Sequence, residues 1–442
     1  MKKVLFGTTA LVAVGMAAPA MAAEPIKLSV GGYMWQWAGM GFNRDVTTAD
    51  IRKDLGKSTG DVWQGGNGPM QNYITAREYG NFATATDAEI HFKGSTKLDN
   101  GLNITIQFEI EAERTSTSTG RNADQQWMEL SGGWGALSIG ERFNVQHRMH
   151  NSAPQAGTIF ADTFYFAYPM GGNAQGGTGN VTSTAFYWTS LEGINQWGRT
   201  AHGIDYVTPR VWGLQLGASY TPTTASAPGS TGAFARGIAN QESSGHDAIS
   251  VALNYTNKFG PVTVSADTGW GRVQSAQSIN QTTLIATGTT SASSSGLKLS
   301  GWGFTVGGSY MRIFDSLKTS ETSAAGSLTN TMSLTSAFAT SFDGYVWDVG
   351  VMYETGPYAI GLAYNQGNLR GAINPWNNGS KDNWQVAQLT AKYTMGPGVD
   401  LVGSAAWLDW QDQITVGNPT GGTKDYNNSW AWTVYTGVKL AF

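Results

Sequence analysis

The chain has 442 residues, of which 58 are glycine and 12% are aromatic, whereas only 13% are charged and none is cysteine. Beyond residue 22 no stretch approaches the roughly 18 apolar residues that a membrane-spanning helix needs, so the sequence excludes a helical membrane protein. Cysteine chemistry is excluded as well, and the aromatic content is too high for a disordered chain. A mean hydropathy of −0.24 shows that glycine and small polar residues replace the missing charges. This composition favours an all-β protein.

The first residues have the features of an export signal. Lys2 and Lys3 precede an apolar run over residues 4–16, and Ala20 and Ala22 occupy the small-residue positions of an A-x-A cleavage site. We therefore predict that residues 1–22 are a cleaved signal peptide and that 23–442 is the mature chain. Cleavage removes two of the 27 basic residues and shifts the formal net charge from −4 to −6. An N-terminal membrane anchor is the alternative, which the shortness of the apolar run disfavours.

The longest regular pattern covers residues 102–113. Apolar and polar residues alternate there without interruption, so that Phe108 belongs to one face and Glu109 to the other. A period of two predicts a β-strand with one apolar and one polar face. Residues 87–93 repeat the pattern, and the Asn100-Gly101 pair between the two segments predicts a hairpin turn.

Short turns and long polar connections alternate along the whole chain. Tight glycine-containing turns are predicted seven times, at residues 97–101, 132–135, 208–213, 257–261, 300–303, 354–357 and 394–398. The longest connections between these hairpins cover residues 40–86, 145–201, 271–290 and 315–343. With an entry strand near 26–38 and a closing strand near 429–442, the hairpins predict about sixteen strands. The asymmetry is typical of a transmembrane antiparallel β-barrel with short periplasmic turns and long extracellular loops, whereas the alternative, a secreted β-sandwich, does not require it.

Aromatic residues concentrate near the predicted strand ends. Tryptophan and tyrosine prefer the two membrane–water interfaces, so we predict one girdle at each end of the barrel. The residues near the short turns are Trp134, Trp212, Phe259, Trp302, Tyr358 and Tyr393. Those nearer the long loops are Trp35, Trp347, Trp384, Trp407 and Trp430.

The last strand ends at an aromatic residue. Apolar residues alternate from Trp432 to Leu440, and Phe442 closes the chain on the same face. This ending resembles the C-terminal assembly signal of bacterial outer-membrane proteins. We therefore predict that the β-barrel assembly machinery recognises the strand through Phe442.

An ordered set of short passages resembles the general diffusion porins of Gram-negative bacteria, of the type found in alpha- and betaproteobacteria. The passages are IHFKGS and LDNGL within residues 90–102, QFE at 107–109, GALSIGER at 135–142, YVTP at 206–209, GLQLGASY at 213–220 and YTGVKLAF at 435–442. Together they extend over most of the mature chain in the order of that family. The resemblance implies a sixteen-stranded barrel in the outer membrane, a homotrimer, and a third loop folded into the lumen as the constriction.

The third loop corresponds to residues 145–201 and departs from the family pattern. Porins of this type usually set acidic loop residues against a wall of arginines, but this loop is nearly uncharged and rich in aromatic residues. We predict that the constriction is shaped by Arg148, Phe160, Asp162, Phe164, Tyr165 and Phe166.

Strand parity predicts which side chains line the pore. The predicted pore-lining residues are Glu89, His91, Lys93, Glu109, Glu111, Glu113, Arg142, Asp205, Asp267, Asp348 and Lys392. Acidic residues outnumber basic ones on the polar faces, and acidic rings attract cations. We therefore predict a weak preference for cations.

The sequence contains no motif for catalysis. No G-x-S-x-G, H-E-x-x-H, Walker or G-x-G-x-x-G pattern occurs, so we predict that the chain is not an enzyme and that it takes no cofactor, metal or nucleic acid. The favoured function is passive diffusion of small hydrophilic solutes and ions across the outer membrane, in contact with its lipid. A substrate-selective porin, with an aromatic-lined constriction for a sugar or similar solute, is the alternative, and an adhesin-like or structural barrel with a closed lumen is a further one.

Overall fold

A computed structural model describes residues 25–43, 82–112, 123–166, 201–223, 245–278, 284–315, 318–321, 344–370, 381–411 and 429–442. At positions 43, 124, 164, 165, 275–278, 284–288, 315, 318–321, 369, 370, 381, 382, 410, 411 and 429 only the backbone is described. The predicted signal peptide lies outside the described residues, as do Glu113 and residues 167–200 of the predicted third loop. In the part of the chain that is described, neither of the two short helices has the length or the apolar character that crossing a bilayer demands.

Almost all described residues belong to β-strands. In chain order the strands are β1 (Lys27–Asn43), β2 (Phe82–Lys97), β3 (Asn103–Glu111), β4 (Ala123–Gly132), β5 (Gly135–Glu141), β6 (His202–Val207), β7 (Leu214–Thr223), β8 (His246–Phe259), β9 (Val262–Ser278), β10 (Leu284–Gly301), β11 (Phe304–Asp315), β12 (Lys318–Glu321), β13 (Gly344–Thr355), β14 (Tyr358–Arg370), β15 (Lys381–Gly396), β16 (Val399–Gln411) and β17 (Ser429–Ala441). A helix α1 (Val145–Met149) and a 3₁₀ helix (Phe160–Tyr165) lie between β5 and β6.

The strands form one closed antiparallel sheet. With the short β12 set aside, each strand pairs with its neighbours in sequence, and β1 pairs with both β2 and β17, which closes the ring. Both β11 and β12 pair with β10, so these two segments occupy a single place in the sheet and the barrel has sixteen staves. The predicted architecture is therefore confirmed. Closure also removes the free sheet edges that would otherwise bind other chains.

Alternation separates an outer face from an inner face. On β13, Val349 and Val351 are exposed on the outer surface, whereas Val346 and Asp348, at positions of the opposite parity, are buried inside. The strand predicted at 102–113 is shorter, because β3 ends at Glu111 and a register shift occurs between Phe108 and Ile110. The predicted facing is retained, since Phe108 is exposed on the outer face.

Two of the short turns carry a Trp-Gly pair with a left-handed backbone. Trp212 and Trp302 have φ of 52° and 53°, and the glycines that follow, Gly213 and Gly303, have φ of 86° and 83°. Two successive positive φ values are the requirement of a type I′ hairpin turn, which matches the twist of the flanking strands. A bulky residue is rarely found there. We attribute the tryptophan in this position to the membrane–water interface, because a tryptophan at the tip of a turn lies at the level of the lipid headgroups.

The predicted girdles need two corrections. At the turn end, all six predicted aromatic side chains are exposed. At the loop end, Trp35 and Trp384 face the interior instead. The ring of Trp35 lies between those of Tyr33 and Trp37, with centroids 4.5 and 5.7 Å away, and Trp384 is buried with its Nε1 donating to Asn365 at 2.9 Å. Both positions have inward parity, and tryptophan alone does not indicate an interface.

Candidate functional site

A chain segment enters the barrel directly after β5. Its described part, residues 142–166, is named here the inward segment. Helix α1 begins at Val145 and is capped by Asn144, whose side chain accepts a hydrogen bond from the backbone N–H of His147 at 3.1 Å. The helix buries Val145, Gln146 and Met149, and it packs against the inner faces of β7, β8 and β9.

Three carboxylates of the barrel wall hold the inward segment. Asp205 on β6 pairs with Arg148 at 3.2 Å, and Asp348 on β13 accepts the backbone N–H of Ala153 at 3.0 Å. Asp267 on β9 accepts from His150 Nδ1 at 2.9 Å. Charge-assisted hydrogen bonds of this kind are about twice as strong as neutral ones.

Asp267 makes the densest of these contacts. Besides His150, it binds Asn151 twice, accepting from the backbone N–H at 2.7 Å and from Nδ2 at 2.9 Å. The relative exposures of Asp205, Asp267 and Asp348 are 5%, 9% and 4%, so the inward segment covers all three. These residues lie on the inner face, as their parity indicates, but they hold the segment rather than face open water. Burial lowers the pKa of Arg148 to about 10, which leaves its guanidinium charged at neutral pH beside Asp205.

Polar residues of β15 and β17 hold the next part of the inward segment. Thr390 Oγ1 accepts the backbone N–H of Ala156 at 2.9 Å, and Gln388 Nε2 donates to the carbonyl of Ile159 at 3.2 Å. Gln388 Nε2 also lies 3.2 Å from the hydroxyl of Tyr435. The inward segment therefore follows the inner wall from β6 to β17.

Small residues on the wall make room for this path. A Cβ at Gly217 would lie 2.8 Å from Met149 Sδ, and one at Gly350 would lie 3.0 Å from the carbonyl oxygen of Pro154. At Gly269 and Gly296 a Cβ would overlap Gln146 and the carbonyl oxygen of Asn151. These inward-facing glycines on β7, β9, β10 and β13 form a shallow groove. None of the four is among the predicted site residues, although glycine at inward parity is the signal that could have located the path.

The inward segment ends against the first and last strands. Phe166 stacks on Tyr435 with ring centroids 4.7 Å apart, and both rings are buried. Asp162 accepts the backbone N–H of Ile159 at 2.9 Å. Burial raises the pKa of Asp162 to about 6, against the opposing influence of Lys439. Phe160 is buried as well, so the rings of Phe160 and Phe166 both pack on the wall.

Phe160 belongs to an apolar cluster inside the barrel that the sequence analysis did not predict. The wall residues of this cluster are Ala248, Val273, Ala292, Met311, Ile313, Val346, Ala363, Trp384, Val386, Ala406, Leu408 and Ala431. All twelve have inward parity on strands β8 to β17. Strand β13 carries valine on both faces, which departs from simple alternation and is the signal that was available.

Opposite this sector, the inner faces of β1 to β5 carry charged side chains together with aromatic ones; we name them the facing wall. Tyr33 donates to Glu89 at 2.7 Å and to Asp87 at 3.1 Å. Arg142 binds Glu129 at 2.6 Å and lies 3.8 Å above the ring of Trp127. Among the described residues of the facing wall, acidic side chains outnumber basic ones.

The remaining predicted site residues lie at separate positions along the barrel wall and the inward segment. Lys93 is exposed on the inner face of β2, near the turn end, and Glu111 lies opposite Glu89 on β3. Lys392 lies 3.4 Å from Glu354. The side chains of Phe164 and Tyr165 are not described. Lys439, which also has inward parity, lies 3.5 Å above the ring of Trp35.

Comparison with known proteins places this geometry in context. Residues 7–413 match the family described as Gram-negative porin. The chain resembles the in-vitro folded outer membrane protein OmpT of Vibrio cholerae in its trimer form, with a TM-score of 0.53 and 10% identity, covering 94% of this chain and 99% of that chain. It also resembles the outer membrane channel DcaP of Acinetobacter baumannii, with a TM-score of 0.52 and 11% identity, covering 94% and 97%. At these identities the likeness concerns the fold. No curated protein sequence matches the chain.

Proposed function

The chain belongs to the Gram-negative porin family, and from this premise we propose how its lumen selects among solutes. It is an outer-membrane channel through which small hydrophilic solutes and ions diffuse passively. We propose that the constriction is the gap between the inward segment and the facing wall. The tight attachment of the segment to β6–β17 supports this, because it leaves the polar residues of β1–β5 as the other boundary.

The gap favours cations in this proposal. The carrying observation is that the facing wall presents Asp87, Glu89, Glu109 and Glu111 on its inner face, besides Glu129, whose charge is offset by Arg142. The two arginines of the inward segment add little positive field, because Arg148 is paired with the buried Asp205 and Arg142 with Glu129. Acidic rings raise the local cation concentration and repel anions. Because the Debye length is about 8 Å at physiological salt, the preference is weak and grows as salt is lowered.

Reversal potential under a KCl gradient tests the preference. The wild-type channel should be cation-selective at low salt, and the pair Glu109→Gln with Glu111→Gln should reduce the ratio of K⁺ to Cl⁻ permeability. Asp99→Asn is the matched control, because Asp99 lies in the exposed turn between β2 and β3 and should leave the ratio unchanged. An anion-selective sign at low salt would show that Arg142 and Lys93 dominate the field, contrary to the proposal.

Two further parts of the proposal concern assembly. A homotrimer is supported by the fold shared with OmpT, whose structure is described as a trimer form. Recognition by the assembly machinery is supported by the end of the chain. There Phe442 exchanges two backbone hydrogen bonds with Gly32, of 3.0 and 3.1 Å, and its side chain remains exposed.

A solute-selective channel is the second candidate, and one observation favours it. Tyr33, Trp35 and Trp37 form an aromatic row on the inner face of β1, with ring centroids 4.5 and 5.7 Å apart. Lys439 covers the ring of Trp35, which weakens the case for sugar stacking. Titration of neutral sugars into a bilayer recording distinguishes the candidates, since a selective channel shows saturable block that Trp35→Ala removes.

A further inference from the structure

Two acidic residues and a histidine meet on the facing wall. Glu89 and His91 are alternate residues of β2 and therefore share its inner face, and Glu109 of β3 lies directly opposite His91. One possible ligand atom of each side chain lies within 4.8 Å of the others. The three residues bring together one imidazole nitrogen and two carboxylates in a space that a single metal ion can bridge.

Neighbouring side chains already orient these groups. His91 Nε2 lies 2.7 Å from Glu89 Oε2, and Tyr33 donates to the other carboxylate oxygen of Glu89 at 2.7 Å. Gln125 Nε2 donates to Glu109 Oε2 at 2.6 Å, and the Gln107 amide donates to Glu109 Oε1. Outer hydrogen bonds of this kind fix ligand orientation in metal sites.

The negative charge of the two carboxylates also favours binding of a cation. Among the described residues, neither Glu89 nor Glu109 forms an ion pair with a lysine or arginine. Glu109 is nonetheless buried, with 7% relative exposure, and its two recorded donors are neutral amides. Burying a carboxylate without a cationic partner is costly. A divalent ion at the centre of the cluster would supply the missing positive charge.

We propose that Glu89, His91 and Glu109 form a site for a borderline divalent transition metal of the Zn²⁺ class. An imidazole nitrogen favours zinc, copper or nickel over calcium and magnesium, which prefer oxygen ligands. Three protein ligands leave a coordination position for water, as in open zinc sites. The pair Glu89 and Glu109 neutralises the ion, so occupation removes two negative charges from the facing wall.

A hydrogen-bond chain also connects the site to the first residues of the inward segment. Gln125, which donates to Glu109, accepts the backbone N–H of Phe143 at 3.3 Å. Phe143 follows β5 and leads into helix α1. Metal binding therefore fixes a side chain that supports the entry of the inward segment, and it lowers the cation preference of the gap.

Equilibrium dialysis of the folded, detergent-solubilised channel against ZnCl₂ tests the site directly, independently of ion selectivity. We expect one saturable Zn²⁺ per chain, displaced by EDTA and not by equimolar CaCl₂. His91→Gln and Glu109→Gln should each weaken binding by more than about tenfold, the lower end of what even an outer-shell change costs. His246→Gln is the control, because His246 lies at the far end of β8 beside Asp247.

Each outcome of the dialysis bears on the proposal. Absence of saturable Zn²⁺ binding would overturn it, and so would displacement by CaCl₂ or equal binding by the wild type and both folded variants. A difference in gel mobility between unheated and heated samples reports whether each variant is folded. Two independent ligand variants keep the test valid if one of them does not fold. In bilayer recordings, ZnCl₂ should shift the reversal potential toward zero in the wild type and in His246→Gln, but not in His91→Gln.

Discussion

Asp267 offers the sharpest test of how the inward segment is held. Asp267→Ala removes three hydrogen bonds, those from His150 Nδ1, Asn151 N and Asn151 Nδ2 at 2.9, 2.7 and 2.9 Å. A hydrogen bond to a charged group contributes about 1.5–3 kcal/mol, and the bonds of one side chain are not additive. We therefore expect a loss of about 3 kcal/mol in the attachment of the segment. Since 1.4 kcal/mol is a factor of ten, its detached state becomes roughly a hundredfold more populated.

Hydrogen exchange of peptides from residues 145–166 measures this population. Exchange at the backbone N–H of Asn151 should accelerate strongly in Asp267→Ala, while exchange in the barrel strands stays unchanged because the sheet keeps its own hydrogen bonds. Asp267→Asn preserves the volume and one acceptor, so its effect should be intermediate, and Asp99→Ala in the exposed turn is the control. Unchanged exchange at Asn151 in folded Asp267→Ala would refute the anchoring role. Single-channel records should show larger open-channel fluctuations in the same variant.

Three further outcomes are expected. Phe108→Lys places a charge on the outer face and should destabilise the barrel by about 2–4 kcal/mol if the site is near the bilayer midplane. Gln107→Lys, one residue away on the inner face, should fold normally and change the conductance instead. Denaturant titration in lipid vesicles measures the difference in stability, and equal stability of the two variants would contradict the assignment of the two faces. Deletion of Phe442 should lower the yield of folded barrel in the outer membrane without altering the conductance of channels that do assemble, and an unchanged yield would argue against an assembly role. Asp162 has a pKa of about 6 in the folded protein, above its ordinary 3.8, so its contribution to stability is fully present below pH 3.8 and is lost as the pH rises through 6. Exchange of the inward segment should therefore increase between pH 4 and pH 7 after correction for the intrinsic rate, and Asp162→Asn should remove that dependence.

The parity of the strands was the most predictable feature. Each inward or outward assignment depends only on the immediate neighbours in the chain, because side chains of an extended strand alternate. Phe108 and Val349 are exposed on the outer face for this reason, and the short turns such as Asn100-Gly101 lie where their residues predict them.

Residue type was a weaker guide than parity. Trp35 and Trp384 were assigned to a girdle because they are tryptophans near strand ends, yet both have inward parity and face the interior. Parity combined with residue type would have predicted this. It would also have marked Val346 and Leu408 as inward apolar residues, and therefore as part of a packed sector rather than a wet wall.

The sequence by itself determined the all-β class, the sixteen strands, and the side of the wall on which each carboxylate lies. Only the tertiary structure decided what each carboxylate does there. Asp348 accepts a hydrogen bond from Ala153, which is 195 residues away, and Thr390 accepts one from Ala156 at a separation of 234. Such contacts form only when the sheet has closed into a barrel and the inward segment packs against its inner wall. Local alternation carries no information about them, because the same period of two serves a carboxylate that faces water and one that holds a loop.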